Sequence, residues 1–502
     1  MLLALGAGSL NVLSFAPFHF WPFQILSLAL IFLLVHQRDR WPPRDLALLG
    51  VSYGFAWLFL GVSWLLIAMT RYGGLPLWLA LAGQFLLATY LACYAAIALL
   101  IGQYLRQRWA LSLQLSLLLV FPACWTLSEW LRGLMLTGFP WLASGYAHTS
   151  SVLAGYAPVF GVYGVTWVSA LISGVIAWLL LKRAWHLKLL FLMVMLFAGG
   201  ALLREHHWTQ PHGLPISVRL LQGNVDQAIK FDNEHINESL VLYDQMISAA
   251  PADLIAAPET ALPLLSSQLP PDYLPRLNNF ALRSNSRLVV GLGVHDGGNR
   301  YSNSVLGFGK EYANQAYRYD KHHLVPFGEF VPRGFHWFIQ LMKIPLGDFS
   351  SAGLYQSPMQ IKDQRVLPNI CYEDLFGEEI ARQLSVQAVA EGGAATILLN
   401  VSNLAWYGDS IAIPQHLQIS QMRVLETGRP MLRATNTGAT AVINAHGDIV
   451  AQLQPLTNGT LSAQVQGMSG MTPYIIWGNA GVIVLAGCAI LLAYGLSRRR
   501  VI

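Results

Sequence analysis

Charged residues are scarce in this chain, and that scarcity is the first constraint on its class. Of 502 residues, 54% are hydrophobic and only 11% are charged, whereas a soluble domain carries about 25% charged residues. The apolar residues crowd residues 1–203 and 474–496, and the stretch between them has ordinary mixed polarity. We therefore expect a membrane-embedded helical part at 1–203 and 474–502, with one soluble domain at 204–473.

Cysteine is also scarce, with four in the whole chain. Cys93, Cys124 and Cys488 fall in apolar stretches, where a thiol serves as a small apolar side chain. Cys371 is the remaining one and has no partner in the soluble segment, so an internal disulfide there is excluded. A free thiol at the end of a predicted strand is a candidate nucleophile.

Two further absences exclude other classes of protein. No basic patch is interleaved with aromatic residues, so the sequence predicts no nucleic-acid function. His322 and His323 are adjacent and point in different directions, and no second cluster has ligand spacing. We therefore expect no metal and no other cofactor.

The apolar regions contain eight stretches that approach the length of about 20 residues needed to cross a bilayer. They lie near residues 2–17, 21–36, 46–68, 75–102, 110–131, 160–181, 189–203 and 474–496. The first carries no basic residue before its apolar run, which favours a retained helix over a cleaved signal peptide.

Basic residues in the short loops predict the orientation. One set of loops and the tail carries eleven, whereas the other set offers only Arg71 and Arg132. The eleven are Arg38, Arg40, Arg44, Arg106, Arg108, Lys182, Arg183, Lys188, Arg498, Arg499 and Arg500. Under the positive-inside rule, both termini lie in the cytoplasm and residues 204–473 lie outside.

The soluble segment alternates short β-rich runs with helical spacing, which predicts an α/β layered domain. The predicted strands are 216–222, 253–257, 287–294, 366–370, 395–400, 429–434 and 440–444, and the predicted helices are 233–249 and 415–428. Residues 440–444 and 449–453 flank a turn, which indicates an antiparallel hairpin.

Three short motifs carry candidate chemistry, each just past a predicted strand or in a neighbouring loop. Glu259 stands in Pro258-Glu-Thr260, Lys321 precedes Leu-Val-Pro-Phe-Gly-Glu, and Cys371 stands in Asn-Ile-Cys-Tyr-Glu. A carboxylate can take the proton of a thiol as the sulfur attacks a carbonyl. An ammonium and the backbone N–H of Tyr372 can stabilise the oxyanion that forms.

These motifs resemble the Glu-Lys-Cys triad of the nitrilase, or carbon–nitrogen hydrolase, superfamily. With eight apolar stretches around them, and with motifs at 138–141, 222–224, 400–409 and 429–438, the whole chain resembles the apolipoprotein N-acyltransferase family. The resemblance implies a membrane helical bundle with an αββα sandwich domain. It also implies site roles for Glu329, Tyr372 and Glu373.

The same resemblance implies a reaction and a location. A fatty acyl chain passes from a membrane phospholipid, through a thioester on Cys371, to the α-amino group of a diacylglyceryl-cysteine at the terminus of a lipoprotein. The enzyme is then a monomer in the bacterial inner membrane, with its catalytic domain on the periplasmic side.

Aromatic residues near these motifs are candidates for binding the acyl chain. Trp406 and Tyr407 suit either a domain core or the wall of an acyl site. Phe231 stands where we expect a tryptophan in relatives. Phe335, Trp337 and Phe338, in the apolar stretch 327–338, are candidates for a lipid entrance.

Two other classes of function remain open at this point. A membrane-tethered amidohydrolase would release acid or ammonia from small soluble amides. A membrane protein that only binds lipid or a partner would tolerate Cys371→Ala. Taken singly, a buried cysteine, a glutamate beside proline and a loop lysine each have structural explanations, but their occurrence in order favours an enzyme.

Overall fold

The computed structural model describes residues 1–38, 40–183, 185–298, 300–332, 349–390 and 393–499. Contacts divide the chain into two compact units. The first contains Met1–Leu66, Leu77–His207 and Thr472–Ile502, and the second contains Ile67–Pro76 and Trp208–Met471. The short segment Ile67–Pro76, which overlaps the predicted third and fourth apolar stretches, therefore belongs with the strand-rich unit.

The first unit is helical, and each predicted apolar stretch contains a helix. Its main α-helices are Leu2–Asn11, Pro22–His36, Pro43–Gly61, Leu77–Arg108, Phe121–Arg132, Ala157–Lys182, Leu187–Glu205, Pro473–Trp477 and Ala480–Arg498.

Not every apolar helix is long enough to cross a membrane. Within the described residues, four helical stretches are both long and apolar enough, namely Leu77–Arg108, Val152–Lys182, Leu187–Glu205 and Ala480–Arg498. A fifth candidate is the pair Pro43–Gly61 and Leu65–Tyr72, which is bent by 61°. The apolar helices Leu2–Ser14 and Pro22–His36 are shorter, so the count of eight spans stays a prediction.

Small residues let helices of this unit approach closely. A Cβ added to Gly50 would lie 2.5 Å from the Cα of Ala96, and one added to Gly54 would lie 2.9 Å from the Cα of Ala92. Helix Pro43–Gly61 therefore packs backbone to backbone against Leu77–Arg108. Small residues at helix contacts are the usual means of association where lipid removes the hydrophobic driving force.

The second unit has fifteen strands within the described residues. They are β1 Gln210–Pro211, β2 Ile216–Gln222, β3 Leu254–Ala256, β4 Leu262–Leu265, β5 Arg287–His295, β6 Tyr301–Phe308, β7 Tyr317–Asp320, β8 Met359–Ile361, β9 Gln364–Ile370, β10 Ile397–Ser402, β11 Met431–Thr435, β12 Ala441–Ile443, β13 Ile449–Gln452, β14 Gly459–Val465 and β15 Met468–Ser469.

Most of these strands form two mixed sheets. A seven-stranded sheet has the order β14-β2-β3-β5-β6-β7, with β4 paired to β5, and a six-stranded sheet has the order β13-β12-β11-β10-β9-β8. Strands β2, β3 and β5 are parallel, as are β9, β10 and β11. The predicted hairpin is confirmed, because β12 and β13 pair antiparallel.

Helices cover the outer faces of the sheets, which contact each other through β2 and β11. Asn233–Ser248 and Tyr273–Ser284 share an apolar core with the seven-stranded sheet. Gly377–Val389 and Ala412–Thr427 contact each other, and Ala412–Thr427 packs on β11. Two sheets between two helical layers confirm the αββα class predicted for this domain.

Several elements of the second unit were absent from the sequence prediction. The sequence did not predict β4, β6, β7, β8 or β14, nor the helices Tyr273–Ser284 and Gly377–Val389. Strand β6 explains part of the failure, because it contains Ser302, Asn303 and Ser304. Asparagine is depleted in strands, and here tertiary pairing to β5 and β7 overrides local preference.

Candidate active site

The site lies where the parallel strands of both sheets end. Asn369 on β9 is paired with Asn400 on β10, so the residues that follow these strands emerge at the same edge. Cys371 follows β9, and Asn403 follows β10. In the other sheet, Glu259 follows β3 and Lys321 follows β7. Strand topology therefore brings together side chains that are distant in sequence.

Cys371 occupies a sharp turn at the end of β9. Its φ angle is +52°, in the left-handed region that a residue with a Cβ rarely adopts. The carbonyl of Cys371 accepts hydrogen bonds from Asn400 Nδ2 at 3.3 Å and from His416 Nε2 at 3.2 Å. These two donors hold the strained peptide in one orientation, which fixes the direction of the thiol.

A buried polar network supports this carbonyl from behind. Arg433 Nη2 donates to His416 Nδ1 at 2.8 Å, and arginine nitrogens are donors only. His416 must therefore carry its proton on Nε2, which is the atom that donates to Cys371. Arg433 also forms a 3.2 Å ion pair with Asp374, and both groups contact the hydroxyl of Ser420. Burial and the adjacent guanidinium lower the pKa of His416, so it stays neutral.

Glu259, Lys321 and Glu329 form a compact ionic cluster. Lys321 Nζ lies 2.9 Å from Glu329 Oε1 and 3.3 Å from Glu259 Oε1. Asn303 Nδ2 donates to the same two oxygens, at 2.7 Å and 2.8 Å. All four residues are buried. The two carboxylates are thus held together by two shared donors.

Asn403 links the carboxylate of Glu259 to the thiol. Its backbone N–H donates to Glu259 Oε2 at 2.9 Å, and the same backbone group lowers the pKa of the Cys371 thiol. Glu259 also acts directly on the Cys371 thiol, because its negative charge raises the pKa of that thiol. This arrangement suits proton transfer from sulfur to oxygen.

The electrostatics of the site keep the resting thiol protonated and the lysine charged. Burial raises the pKa of Cys371, and the negative charge of Glu259 raises it further, against the opposing effect of Lys321. Burial alone would lower the pKa of Lys321, but Glu329 and Glu259 outweigh burial and raise it. The thiol therefore needs a base to react at neutral pH, and the ammonium is permanent.

Glu373 joins the two halves of the site, which are the turn that carries Cys371 and the loop that carries Lys321. Its carboxylate accepts hydrogen bonds from the backbone N–H groups of Ile370 at 2.6 Å and His322 at 2.7 Å. The hydroxyl of Tyr319 and the N–H of His323 also donate to it, at 3.0 Å and 3.3 Å. One side chain thereby fixes the peptide before the cysteine and the loop that carries the lysine.

The aromatic candidates occupy different environments. Tyr372 is buried and packs against Phe376 at 5.3 Å between ring centroids. Burial raises the pKa of Tyr407, and the negative charges of Cys371 and Glu259 raise it further, whereas Lys321 lowers it.

Trp406 and Phe231 are exposed, at 41% and 53% of their surfaces. Trp406 packs edge-on against Tyr72 at 5.6 Å. Part of each aromatic side chain is therefore exposed. Phe335, Trp337 and Phe338 lie outside the described residues.

Sequence reasoning did not single out four residues that build the site: Asn303, Asn403 and His416, which contact predicted residues, and Arg433, which contacts His416. Two of them had a signal, because Asn403 and Arg433 lie inside motifs 400–409 and 429–438, which carried the family resemblance. Asn303 and His416 had none beyond their polar type. Among the described residues, no group of three or more His, Cys, Asp or Glu side chains is arranged to hold a metal ion.

Comparison with known proteins defines the class of the second unit and then the family. The sequence pattern of the carbon–nitrogen hydrolases matches residues 217–474, so the second unit is a carbon–nitrogen hydrolase domain. The pattern of the apolipoprotein N-acyltransferase N-terminal domain matches residues 7–175. With its relatives, this shows that the chain belongs to the apolipoprotein N-acyltransferase family.

The relatives that share this name cover nearly the whole chain. An apolipoprotein N-acyltransferase from Ralstonia nicotianae is 49% identical over 98% of this chain and 92% of its own length. One from Nitrosomonas europaea is 41% identical over 98% and 96%. A solved carbon–nitrogen hydrolase from Helicobacter pylori G27 is 19% identical, covers 50% of this chain and 89% of its own, and has a TM-score of 0.36. The family and the apolar helices together make this a membrane protein.

Proposed function

We propose that this protein is an apolipoprotein N-acyltransferase that uses Cys371 as nucleophile, Glu259 as general base and Lys321 as electrostatic stabiliser. The observation that carries the proposal is the buried ion pair of Glu259 with Lys321, with Glu259 held by the backbone N–H of Asn403 and acting electrostatically on the Cys371 thiol. This arrangement, in a chain of this family, supports acyl transfer through a thioester.

In the first step, Cys371 attacks the ester carbonyl of a membrane phospholipid. Glu259 takes the thiol proton as the carbon–sulfur bond forms. Lys321 and the backbone N–H of Tyr372 stabilise the oxyanion of the tetrahedral intermediate. The carbon–oxygen bond then breaks, and Glu259 returns the proton to the departing alkoxide, which leaves as a lysophospholipid.

In the second step, the α-amino group of a diacylglyceryl-cysteine attacks the thioester. Glu259 accepts a proton from this amine as the carbon–nitrogen bond forms. The carbon–sulfur bond breaks, and the proton passes to the thiolate, which restores the enzyme. The product is an N-acylated lipoprotein, and one carboxylate serves both steps.

Glu329 and Glu373 position the reacting groups in this scheme. Glu329 and Glu259 both form ion pairs with the ammonium of Lys321. Glu329 therefore keeps Lys321 in position while Glu259 accepts and returns a proton. The partly exposed aromatic rings of Trp406 and Phe231 are candidates for contact with the acyl chain. We place the enzyme in the bacterial inner membrane as a monomer, in line with the family resemblance. We place its catalytic domain on the periplasmic side because its loop charges follow the positive-inside rule.

A transfer assay tests the proposal. The purified enzyme in detergent is given a phospholipid and a synthetic peptide with an N-terminal diacylglyceryl-cysteine, and the peptide is analysed by mass spectrometry. We expect the peptide to gain one acyl chain and an equal amount of lysophospholipid to form. Release of free fatty acid without acylated peptide, or faster turnover of small soluble amides, would instead establish a membrane-tethered amidohydrolase.

A further inference from the structure

A short arm of the second unit lies over the strand ends that carry the site. The arm, residues 224–231, follows β2 and is attached to β11 and β10 through two asparagines. Asn436 Oδ1 accepts from the N–H of Val225 at 3.0 Å, and its Nδ2 donates to the carbonyl of Val225 at 2.8 Å. Asn403 Nδ2 donates to Gln227 Oε1 at 2.7 Å. Asn403 is also the residue whose backbone N–H donates to Glu259.

This arm carries a buried lysine whose ammonium has no hydrogen-bond partner within the described part of the chain. Lys230 is only 1% exposed, and its Nζ is buried without an acceptor. On the same turn, Gln227 Nε2 is buried and also lacks an acceptor among the described residues. Two buried donors on one turn therefore lack an acceptor among the residues that the structure describes.

The contrast with Lys321 shows why this is unusual. Lys321 is equally buried but has two carboxylates within hydrogen-bonding or ion-pairing distance. The negative charge of Glu259 raises the pKa of Lys230, although no hydrogen bond between the two is found among the described residues. Burial has the larger and opposite effect, and it lowers the pKa of Lys230 to about 8. A buried ammonium is normally paired, because its loss of hydration is otherwise uncompensated.

An arriving substrate can supply the missing acceptor. The phospholipid of the first step carries one fixed anion, the phosphodiester, and only the glycerol unit separates it from the ester carbonyl that Cys371 attacks. Phosphodiester oxygens accept hydrogen bonds and cannot donate them at neutral pH, which matches a pair of unsatisfied donors.

Resting on the proposed function, we propose that Lys230 is the donor-recognition residue of the site: its Nζ, with Gln227 Nε2 beside it, binds the phosphodiester of the acyl-donating phospholipid. The arm then binds the phosphate that all acyl-donating phospholipids share, and it orients the ester carbonyl toward Cys371. Recognition by the common phosphate leaves the remainder of the headgroup free to vary.

The test compares two acyl donors that differ in the phosphate. The initial rate at which Cys371 becomes acylated is followed by intact-mass analysis of the full-length enzyme in detergent. One donor is a phosphatidylglycerol with palmitoyl chains, and the other is p-nitrophenyl palmitate, which has no phosphate. The variants are Lys230→Met and Lys230→Arg, and Lys362→Met is the matched control because Lys362 is a half-exposed lysine paired with Asp253.

We expect Lys230→Met to slow acylation by the phospholipid about tenfold or more, as loss of a charge-assisted hydrogen bond does. Acylation by the neutral ester should stay within about twofold of wild type. Lys230→Arg should retain more activity with the phospholipid than Lys230→Met, because the positive charge is kept. If Lys230→Met does not fold, Lys230→Gln is tested in the same way.

Three results would overturn the assignment. Equal slowing with both donors would mean that Lys230 supports the site as a whole. An unchanged rate with the phospholipid would remove it from donor binding. Slowing confined to transfer from the isolated thioester to the acceptor peptide would make Lys230 a proton acceptor for the incoming amine. If the wild-type enzyme accepted only the neutral ester, the proposed function itself would fail, whereas failure of Lys230 alone leaves it standing.

Discussion

The two sheets of the catalytic unit contribute different things to the site. The edge of the seven-stranded sheet supplies the charges, as Lys321 lies between Glu259 and Glu329. The edge of the six-stranded sheet supplies the neutral thiol of Cys371. The backbone carbonyl of the same residue accepts hydrogen bonds from Asn400 and His416. Its ionic pair, Arg433 with Asp374, is fully buried behind the nucleophile.

This division separates electrostatic stabilisation from positioning. A thiolate formed permanently beside two carboxylates would be repelled, whereas a protonated thiol is tolerated until the base acts. Removing a charge from the seven-stranded side should therefore slow the chemistry most. Weakening a hydrogen bond that joins the sheets should loosen the geometry and slow the reaction less.

The largest effect should follow from Glu259→Gln, which removes the base while keeping an oxygen that can accept from Asn403. We expect thioester formation from phospholipid to fall by about 10²- to 10⁴-fold, the usual contribution of a positioned base. Intact-mass kinetics measure it. The control is Glu311→Gln, which alters a carboxylate paired with Arg287 in the same sheet unit. Normal acylation by the Glu259 variant would remove this residue from the mechanism.

Lys321→Met should come next, because it removes the ammonium and leaves two buried carboxylates without their cation. We expect acylation to slow by about 10²- to 10³-fold and the catalytic domain to lose about 3–5 kcal/mol of stability. Thermal unfolding in detergent and acylation kinetics measure the two effects. Lys362→Met, at a half-exposed ion pair, should cost less than about 1 kcal/mol. Similar losses in the two variants would contradict the central role of the cluster.

Glu373→Gln tests the connection between the two sheets. The amide can accept through only one oxygen, and its NH₂ group faces backbone donors, so the bonds from Ile370 and His322 cannot both survive. We expect about 1.5–3 kcal/mol of destabilisation and roughly tenfold slower acylation, by misplacement of Lys321 relative to Cys371. Acylation and thermal unfolding are measured together. Unchanged values for both would mean that this carboxylate does not join the halves of the site.

Arg71→Gln should have the smallest effect. Arg71 pairs with Asp226 on the arm at 3.1 Å, and both side chains are about half exposed, so the pair contributes less than about 1 kcal/mol. We expect the melting temperature to move little and phospholipid acylation to stay within about twofold of wild type. A large loss specific to the phospholipid, with p-nitrophenyl palmitate unaffected, would show that segment Ile67–Pro76 controls the arm.

Residues of the site that stand in local motifs could be predicted from the sequence, whereas residues whose role depends on long-range pairing could not. Glu259, Lys321 and Cys371 stand in short motifs next to strands or turns, so residue type and local context were enough to propose them as site residues. Asn303 lies inside a strand that local preference disfavours, and its role depends on the pairing of β6 with β5 and β7. Lys230 looks like an ordinary polar loop residue until folding buries it. Long-range topology, rather than local pattern, decides these cases.

The prediction of the fold was limited in the same way, because it depended on local sequence pattern. Strands such as β5 and β9 are rich in apolar residues and were predicted with nearly correct bounds. The short strands β4 and β8 were not predicted, because each has too few residues to show the alternation of apolar and polar side chains that marks a strand. In the helical unit, the apolar stretches were placed correctly, but the bend of 61° between Pro43–Gly61 and Leu65–Tyr72 is not visible in composition.

Intact-mass analysis of the protein incubated with phospholipid alone tests the central claim most directly. The account predicts that the wild-type enzyme gains the mass of one fatty acyl group, that the group is removed by hydroxylamine, and that Cys371→Ala gains nothing. An unmodified wild type, or the same added mass on Cys371→Ala, would contradict the assignment of Cys371 as the residue that carries the acyl chain.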